Sequence, residues 1–555
     1  MSFEEPDKKK SFWDKCVLPK YDVWAEEIIR YVNPNENPLK KCDPDLKPLT
    51  ELKNGKWKVI SDDKKMQCKW RCHTRKSEKA NIISDWSSDE KEVNCEIVES
   101  SCSKDGKEIY GYLHSQILPV HDPLNSENNN TNRNNDTKTN YDVYVILIDS
   151  LSYSQAKRSL PRTLSYFQSH MDAVPFPYMN KVGDNSRPNG VAIWFGKALE
   201  KVDRSLFGEP SIEPDWKHQY FCYTFKDNES NIFTDFKNNG YKTLLAEDWA
   251  AGTLNWPNCR GFEKPITHHY MRPFQIAYEK SGTEMTKKHL DGKRYCREYH
   301  HTLLDYMEQF INAYPDQRKF AWLWATHLGH NSENGIFHSD KDIHNFFLRN
   351  RKVMDESFVI ILGDHGLRFG SVRSTFVGGL DVNNPFTMIS IPKKLRKTTN
   401  ILDILKDNSR KLQTHYDTRA TLLDLLLHQP KSAFLETEPI DIPGARGNSL
   451  LRRQPNFERT CRTLPIPMEY CICQFTSTPQ NKNSDISIQA GKAITEKVNS
   501  LLRQNNLTEK CIAMDYDNTT KISLYDDKLN NASIYNVDII TKKPSEAAFK
   551  VCVQY

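Results

Sequence analysis

Two aliphatic runs in the chain end on acids. Val145-Ile146-Leu147-Ile148 leads into Asp149-Ser150, and Ile360-Ile361-Leu362 leads through Gly363 into Asp364-His365-Gly366. A carboxylate directly after buried aliphatics is costly unless it is paired or coordinates a cation. Asp149, Asp364 and His365 together offer two oxygen donors and one nitrogen donor, a set that suits zinc or manganese. Taken singly, each is equally a strand-end cap or turn residue; their joint occurrence at two strand ends is what points to a site. Gly363 and Gly366 are read as permitting the tight turn that aims both ligands at one point.

Between these acids lies Gly183-Asp184-Asn185-Ser186-Arg187-Pro188-Asn189. Pro188 reads as the start of a helix over 188–199, with Ser186 at or one residue from its N-cap. Ser186 can be a cap and nothing more. It can also present a hydroxyl at a positive helix end, where a phosphate or sulfate is favoured, and a metal on Asp149, Asp364 and His365 would make that hydroxyl a nucleophile. His327 and His330, with Asn331, follow the strand Phe320–Ala325 at the same sheet edge, and His415 precedes an apolar helix. These are candidates for a second metal or for binding a substrate anion. The pairs His268-His269 and His300-His301 lack a strand-end context and are read as structural.

These residues need a scaffold that brings strand ends together. Strands are expected at Val143–Asp149, Gly240–Ala246, Phe320–Ala325, Phe358–Gly363 and Phe386–Ile391. Helices are expected at Ser159–His170, Pro188–Leu199, Tyr299–Ala313 and Asp417–Leu427. Such alternation is the pattern of a doubly wound, mostly parallel α/β sheet, whose ligands bind beyond the carboxyl ends of the strands. The organisation reads as a mainly β, disulfide-pinned region over 1–124, an Asn-rich linker over 125–140, an α/β core over 141–475 and a C-terminal α+β subdomain over 476–555. The last combines a helix, Ile488–Leu502, with short strands near Ile512–Tyr516, Ile522–Tyr525, Ser533–Ile540 and Ala548–Val553, forming a small antiparallel sheet.

A net charge of +5 over 555 residues supplies no global drive toward nucleic acid. The basic clusters Lys8–Lys10 and Lys393–Lys397 read as solvated faces. No apolar run reaches the ~18 residues that span a bilayer, and the charged start lacks the apolar stretch of a signal peptide. The 14 cysteines are even in number and concentrated toward the two ends of the chain. They do not show zinc-ribbon spacing, so they read as disulfides in an oxidising compartment. Cys511–Cys552 is the expected staple of the C-terminal sheet, with Cys68–Cys72 and Cys95–Cys102 as further candidates. Sequons begin at Asn129, Asn135, Asn228, Asn506, Asn518 and Asn531. With the cysteines they imply a secreted or lumenal glycoprotein.

The order strand-Asp, helix-start hydroxyl, histidines and Asp-His-Gly resembles the alkaline phosphatase/sulfatase superfamily. More closely, the chain resembles the family known as domain of unknown function 229. The similar stretches are Val145–Ser150, Tyr178–Pro188, Glu247-Asp248-Trp249, Tyr270–Phe274, His330–Phe337, Phe358–Gly370, His415–Leu425 and Arg459–Cys473, together with Cys16–Pro34. The resemblance implies an alkaline phosphatase-like fold and hydrolysis or transfer of phosphate or sulfate esters. It implies metal ligation by Asp149, Asp364 and His365, a Ser186 nucleophile, and His330 and His415 at a second metal or the substrate anion. The chain departs from the superfamily pattern in having Ser rather than Thr at 186, and Asn331 where an Asp is expected, so a single ion is compatible with the pattern. Sulfatases that use formylglycine carry an Arg four residues after the modified position; here that residue is Gly190, which favours phosphate over sulfate esters. The leading expectation is a secreted metal-dependent hydrolase of small-molecule, glycan or lipid esters. The alternatives are a non-catalytic extracellular binding glycoprotein and a phosphoryl transferase on the same site.

Overall fold

The structure is a computed structural model that describes residues 12–20, 22–90, 92–120, 141–290, 295–527 and 532–554. Lys8–Lys10, the 125–140 segment and the sequon positions Asn129, Asn135 and Asn531 lie outside these residues.

The centre is a seven-stranded sheet. Its order is His269–Tyr270, Lys242–Glu247, Lys319–Ala325, Val143–Ile148, Phe358–Leu362, Thr387–Ser390 and Val174–Pro175. The first five strands run parallel, and Thr387–Ser390 is antiparallel to both its neighbours. The strand Val143–Ile148 is buried at every position, and so is Lys319–Ala325. Period-two alternation splits them between two cores. Tyr144, Ile146 and Ile148 join Ala321, Leu323 and Ala325 on one face, under the helices Pro161–His170, Tyr299–Ala313 and Asp340–Arg349. Val143, Val145 and Leu147 join Phe320, Trp322 and Trp324 on the other, under Ser186–Phe195, Ile401–Asn408 and His415–Leu427. A sheet greasy on both faces and covered on both is the doubly wound α/β arrangement expected from the alternation of strands and helices.

Before this sheet stands a four-stranded antiparallel one, Asn81–Ile83, Gln67–Arg75, Ile97–Lys104 and Lys107–Ser115. Glu99 fastens it to the core, accepting from the Thr283 backbone N–H at 2.7 Å while bonding Arg71 and His73 of the neighbouring strand at 2.6 and 2.8 Å. After the core comes the small antiparallel sheet Thr478–Pro479, Tyr516–Asp527, Ala532–Thr541 and Ala548–Gln554, covered by the helix Asp485–Gln504. Ile512–Tyr516 is not a separate strand: the chain enters the sheet only at Tyr516.

Six disulfides join Cys16–Cys473, Cys42–Cys296, Cys68–Cys102, Cys72–Cys95, Cys222–Cys259 and Cys461–Cys471. All three expected pairings are corrected. Cys68 and Cys72 lie four residues apart on one strand, a span of about 13 Å, far beyond the ~7 Å limit for a bridge. Cys68 stands directly opposite Cys102 in the antiparallel register and bonds to it instead, leaving Cys72 for Cys95. Cys511 and Cys552 are both free and exposed. Ala548 pairs with Ile540 beside the Tyr516–Thr541 end of the sheet, and Cys552 lies about 13 Å further along that strand, away from the connection holding Cys511. Nor are the bridges confined to the termini, since Cys42–Cys296 and Cys222–Cys259 both reach into the middle of the chain. The bridges point to an oxidising compartment. Among the described residues, no helix is long and apolar enough to cross a membrane.

Candidate active site

Val143–Ile148 and Phe358–Leu362 are parallel neighbours in register. Their carboxyl ends therefore emerge side by side, and the acids that follow them meet. Ser150 ties the two together. Its backbone N–H donates to Asp364 Oδ1 at 3.0 Å and its hydroxyl to Asp149 Oδ1 at 2.9 Å. It does so from a left-handed conformation, φ 62°, which a residue with a Cβ adopts at a cost of about 1 kcal/mol. Gly363 and Gly366 serve a different purpose from the one expected. Neither has a positive φ; instead a Cβ on Gly363 would collide with the Leu151 carbonyl, and one on Gly366 with the Asp381 carbonyl. They are glycine because backbone passes against them.

Asp149, Asp364 and His365 are all buried, and one ligand atom from each lies within 4.8 Å of the others. Burial and the facing Asp364 carboxylate push the Asp149 carboxyl well above the usual range. Asp364 Oδ2 is buried with no hydrogen-bond partner among the described residues. His365 Nδ1 donates to the Gly366 carbonyl at 2.8 Å. That leaves the Nε2 lone pair facing inward, 3.4 Å from Asp364 Oδ2. Burial lowers the His365 imidazole to about 4, so it is neutral and able to ligate at physiological pH. Two opposed carboxylates, one orphaned oxygen and one free imidazole lone pair form a donor set suited to a divalent cation.

Ser186 approaches from the second face of the sheet. The helix Ser186–Phe195 is anchored by Trp194, which packs edge-on against Trp322 and Trp324 at 5.9 and 5.4 Å. It begins two residues before the expected start and ends at Gly196, φ 69°, short of Leu199. The N-cap is Asn185, whose side chain accepts from Arg187 N–H at 3.2 Å. Ser186 is therefore the first helical residue and its hydroxyl is not used in capping. Its Oγ lies 3.2 Å from Asp149 Oδ2 and 3.3 Å from His365 Nε2.

Residues 35–520 match the family described as "Protein of unknown function (DUF229)". The chain belongs to that family. Among curated proteins, none matches it. The chain is also similar to several solved structures. One is a protein in the alkaline phosphatase superfamily from Vibrio parahaemolyticus, at 13% identity and TM-score 0.34, covering 75% of this chain and 83% of that one. Another is the lipoteichoic acid synthase LtaP from Listeria monocytogenes, at 11% identity and TM-score 0.34, covering 62% and 79%. A third is the lipooligosaccharide phosphoethanolamine transferase A from Neisseria meningitidis, at 11% identity and TM-score 0.34, covering 54% and 56%.

In this DUF229 chain the four residues expected at a second metal or anion site do not converge on one point. His415 opens the helix His415–Leu427, and that first turn directs Nε2 at the Asp364 carbonyl, 2.7 Å away. It props the loop that carries the ligands. His327 is stacked on Tyr299 at 4.1 Å with the rings 5° apart. His330 Nδ1 donates to the Asn331 side-chain carbonyl at 2.7 Å, and the His330 ring stands between Trp249 and Phe369. Asp248, which directly follows the neighbouring strand Lys242–Glu247, sets this loop by accepting the Thr326 and His327 N–H groups at 2.7 and 3.2 Å.

Sequence reasoning passed over Ser150, Lys181, Asp184 and Arg368. Lys181 is buried, and desolvation lowers its ammonium to about 8. Arg368 pairs with Asp184 at 2.7 Å, and Lys181 donates to the Asp184 carbonyl at 3.2 Å. Both cations act on His365, lowering it further. The available signal for Lys181, Asp184 and Arg368 was their position inside the stretches Tyr178–Pro188 and Phe358–Gly370.

Proposed function

We propose that the chain is a metal-dependent hydrolase of phosphate esters that works outside the cytosol, with Ser186 as nucleophile. The single observation that carries this reading is the Ser186 hydroxyl. It is free of capping duty, stands at a helix N-terminus, and lies 3.2 and 3.3 Å from Asp149 and His365. Zinc or manganese would be held by Asp149, Asp364 and His365 beside Ser186 Oγ. When bound there, such a cation supplies Lewis acidity that favours the ionised hydroxyl.

The protein's own residues do the rest. Ser186 Oγ attacks phosphorus, the ester oxygen departs with the substrate's alcohol, and water then attacks the phosphoseryl group to release phosphate and restore Ser186. The positive end of the helix dipole, with Lys181 and Arg368, supplies positive potential for the phosphoryl oxygens. Gly190 supports phosphate over formylglycine-dependent sulfate chemistry. A Cβ there would already come within 3.0 Å of the Trp324 ring, leaving no room for an Arg side chain. Asn228, Asn506 and Asn518 are exposed, which suits glycosylation in a secretory compartment.

The test is elemental analysis of non-chelated protein together with turnover of aryl phosphate mono- and diesters after zinc or manganese is restored. Metal that is lost in Asp364→Asn, with turnover lost alongside it, supports the reading. Turnover that requires an added acceptor alcohol makes the protein a transferase. Bound metal without turnover on any ester makes it a binding protein.

A further inference from the structure

A second cluster of ligand-type side chains lies on the opposite face of the sheet from Ser186. Glu298 is the N-cap of the helix Tyr299–Ala313, and its side chain accepts from the His301 backbone N–H. In return the Glu298 N–H donates to His301 Nδ1 at 3.0 Å. That bond fixes the tautomer: Nδ1 is an acceptor, so the His301 proton sits on Nε2 and is donated to Asp342 Oδ2 at 3.2 Å. The same oxygen takes the Nε2 proton of His300 at 3.1 Å. His300 is 2% exposed. Its Nδ1 lone pair has no partner among the described residues and faces Glu298 Oε2 at 3.9 Å. From the turn Phe337–Ser339, His338 brings Nε2 to 2.6 Å from that Glu298 oxygen.

Two ligand triads can be drawn through His300. The one with His301 and Asp342 fails, because His301 Nε2 is already protonated by the capping arrangement. The one with Glu298 and His338 is coherent. His300 donates Nε2–H to a carboxylate and offers Nδ1, the arrangement that orients histidines on metals. Bonds of 2.0–2.1 Å in a tetrahedral site separate neighbouring ligand atoms by about 3.3 Å, and the observed 2.6 and 3.9 Å straddle that value. We infer that Glu298, His300 and His338 form a second, independent site for a divalent transition metal, zinc by its donor set, with Asp342 orienting His300. His338 then ligates through Nε2 with its proton on Nδ1. Three protein ligands leave a fourth position, and they line a cavity of about 350 Å³ shared with Asp248, His327 and Asn331. The open position adjoins this cavity, which is large enough to admit water.

The experiment is zinc stoichiometry and competition titration on full-length protein stripped by chelator and reloaded. Wild type, His300→Ala, His338→Gln, Asp342→Asn and Asp364→Asn are compared, with circular dichroism confirming each fold. His300→Ala and His338→Gln should each bind one zinc fewer than wild type. Asp342→Asn should weaken that zinc by about 10–100-fold. Asp364→Asn should keep it, whether or not the Ser186 site binds metal. If His300→Ala does not fold, His338→Gln decides. Wild-type stoichiometry and affinity in folded His338→Gln would overturn the site.

Discussion

Replacing Ser186 with Ala separates an enzyme from a scaffold, because the structure makes the expected losses so unequal. The helix keeps its cap, since Asn185 performs that function. What is removed is one hydroxyl whose single proton is shared between two acceptors, Asp149 Oδ2 at 3.2 Å and His365 Nε2 at 3.3 Å. Asp149 retains the Ser150 hydroxyl at 2.9 Å. A net loss of about 0.5–1.5 kcal/mol follows, too little to unfold the chain. Ligand atoms of Asp149, Asp364 and His365 are all left in place, so metal should still bind, weakened by at most the loss of the hydroxyl. Turnover of an aryl phosphate ester should fall at least ~10³-fold, about 4 kcal/mol of transition-state stabilisation.

The assay is the pair of measurements on one preparation: urea unfolding and steady-state hydrolysis with zinc or manganese in excess. Asn185→Ala is the useful contrast, because it should cost about 1 kcal/mol of stability through the cap while leaving the nucleophile present. Hydrolysis that survives Ser186→Ala to within ~10-fold would refute the nucleophile. It would leave Ser186 as a group that merely satisfies Asp149.

Three further outcomes are expected. In metal-free protein Ser150→Ala should cost about 1–3 kcal/mol by taking a hydroxyl from a buried carboxylate, and Ser150→Gly about 1 kcal/mol less because it releases the left-handed strain; equal unfolding midpoints for the two would contradict this. Burial raises the Glu99 carboxyl, but His73, the Thr283 N–H and Arg71 outweigh it and hold it at about 2 against an ordinary 4.5. Its contribution, at most about 3 kcal/mol, is therefore complete above the ordinary value and is lost as pH falls toward the folded one, so the stability gap between wild type and Glu99→Gln should narrow on acidification and a constant gap would count against it. Thiol titration of unfolded, unreduced protein should find two thiols per chain, Cys511 and Cys552, and four or more would break the disulfide assignment.

The features that could be read from the sequence are those in which one short segment carries its own context. Val143–Ile148 and Phe358–Leu362 announce themselves as strands by unbroken aliphatic content, and an acid after each has few inexpensive explanations. Once both strands enter one parallel sheet in adjacent positions, Asp149 and Asp364 have to meet, so the fold delivers the pair without further information. Ser186 required only a helix start nearby, and a two-residue error in that start did not move its hydroxyl away from the acids.

What stayed hidden depends on register and on backbone conformation, neither of which composition encodes. Cys68 bonds to Cys102 because antiparallel pairing sets them opposite one another, and no spacing rule distinguishes that from a slip of two residues. Ser150 acts through a left-handed backbone that a serine rarely adopts, so nothing local marked it as the clamp between two carboxylates. His300 and His301 illustrate the point most fully. As neighbours in sequence they look interchangeable, yet the capping bond from Glu298 commits the His301 ring to one tautomer. His300 instead gives its Nε2 proton to Asp342 and keeps an unshared, buried Nδ1 lone pair aimed at Glu298. The difference between a structural histidine and a metal ligand is set here by one backbone hydrogen bond, a cause that only the folded chain contains.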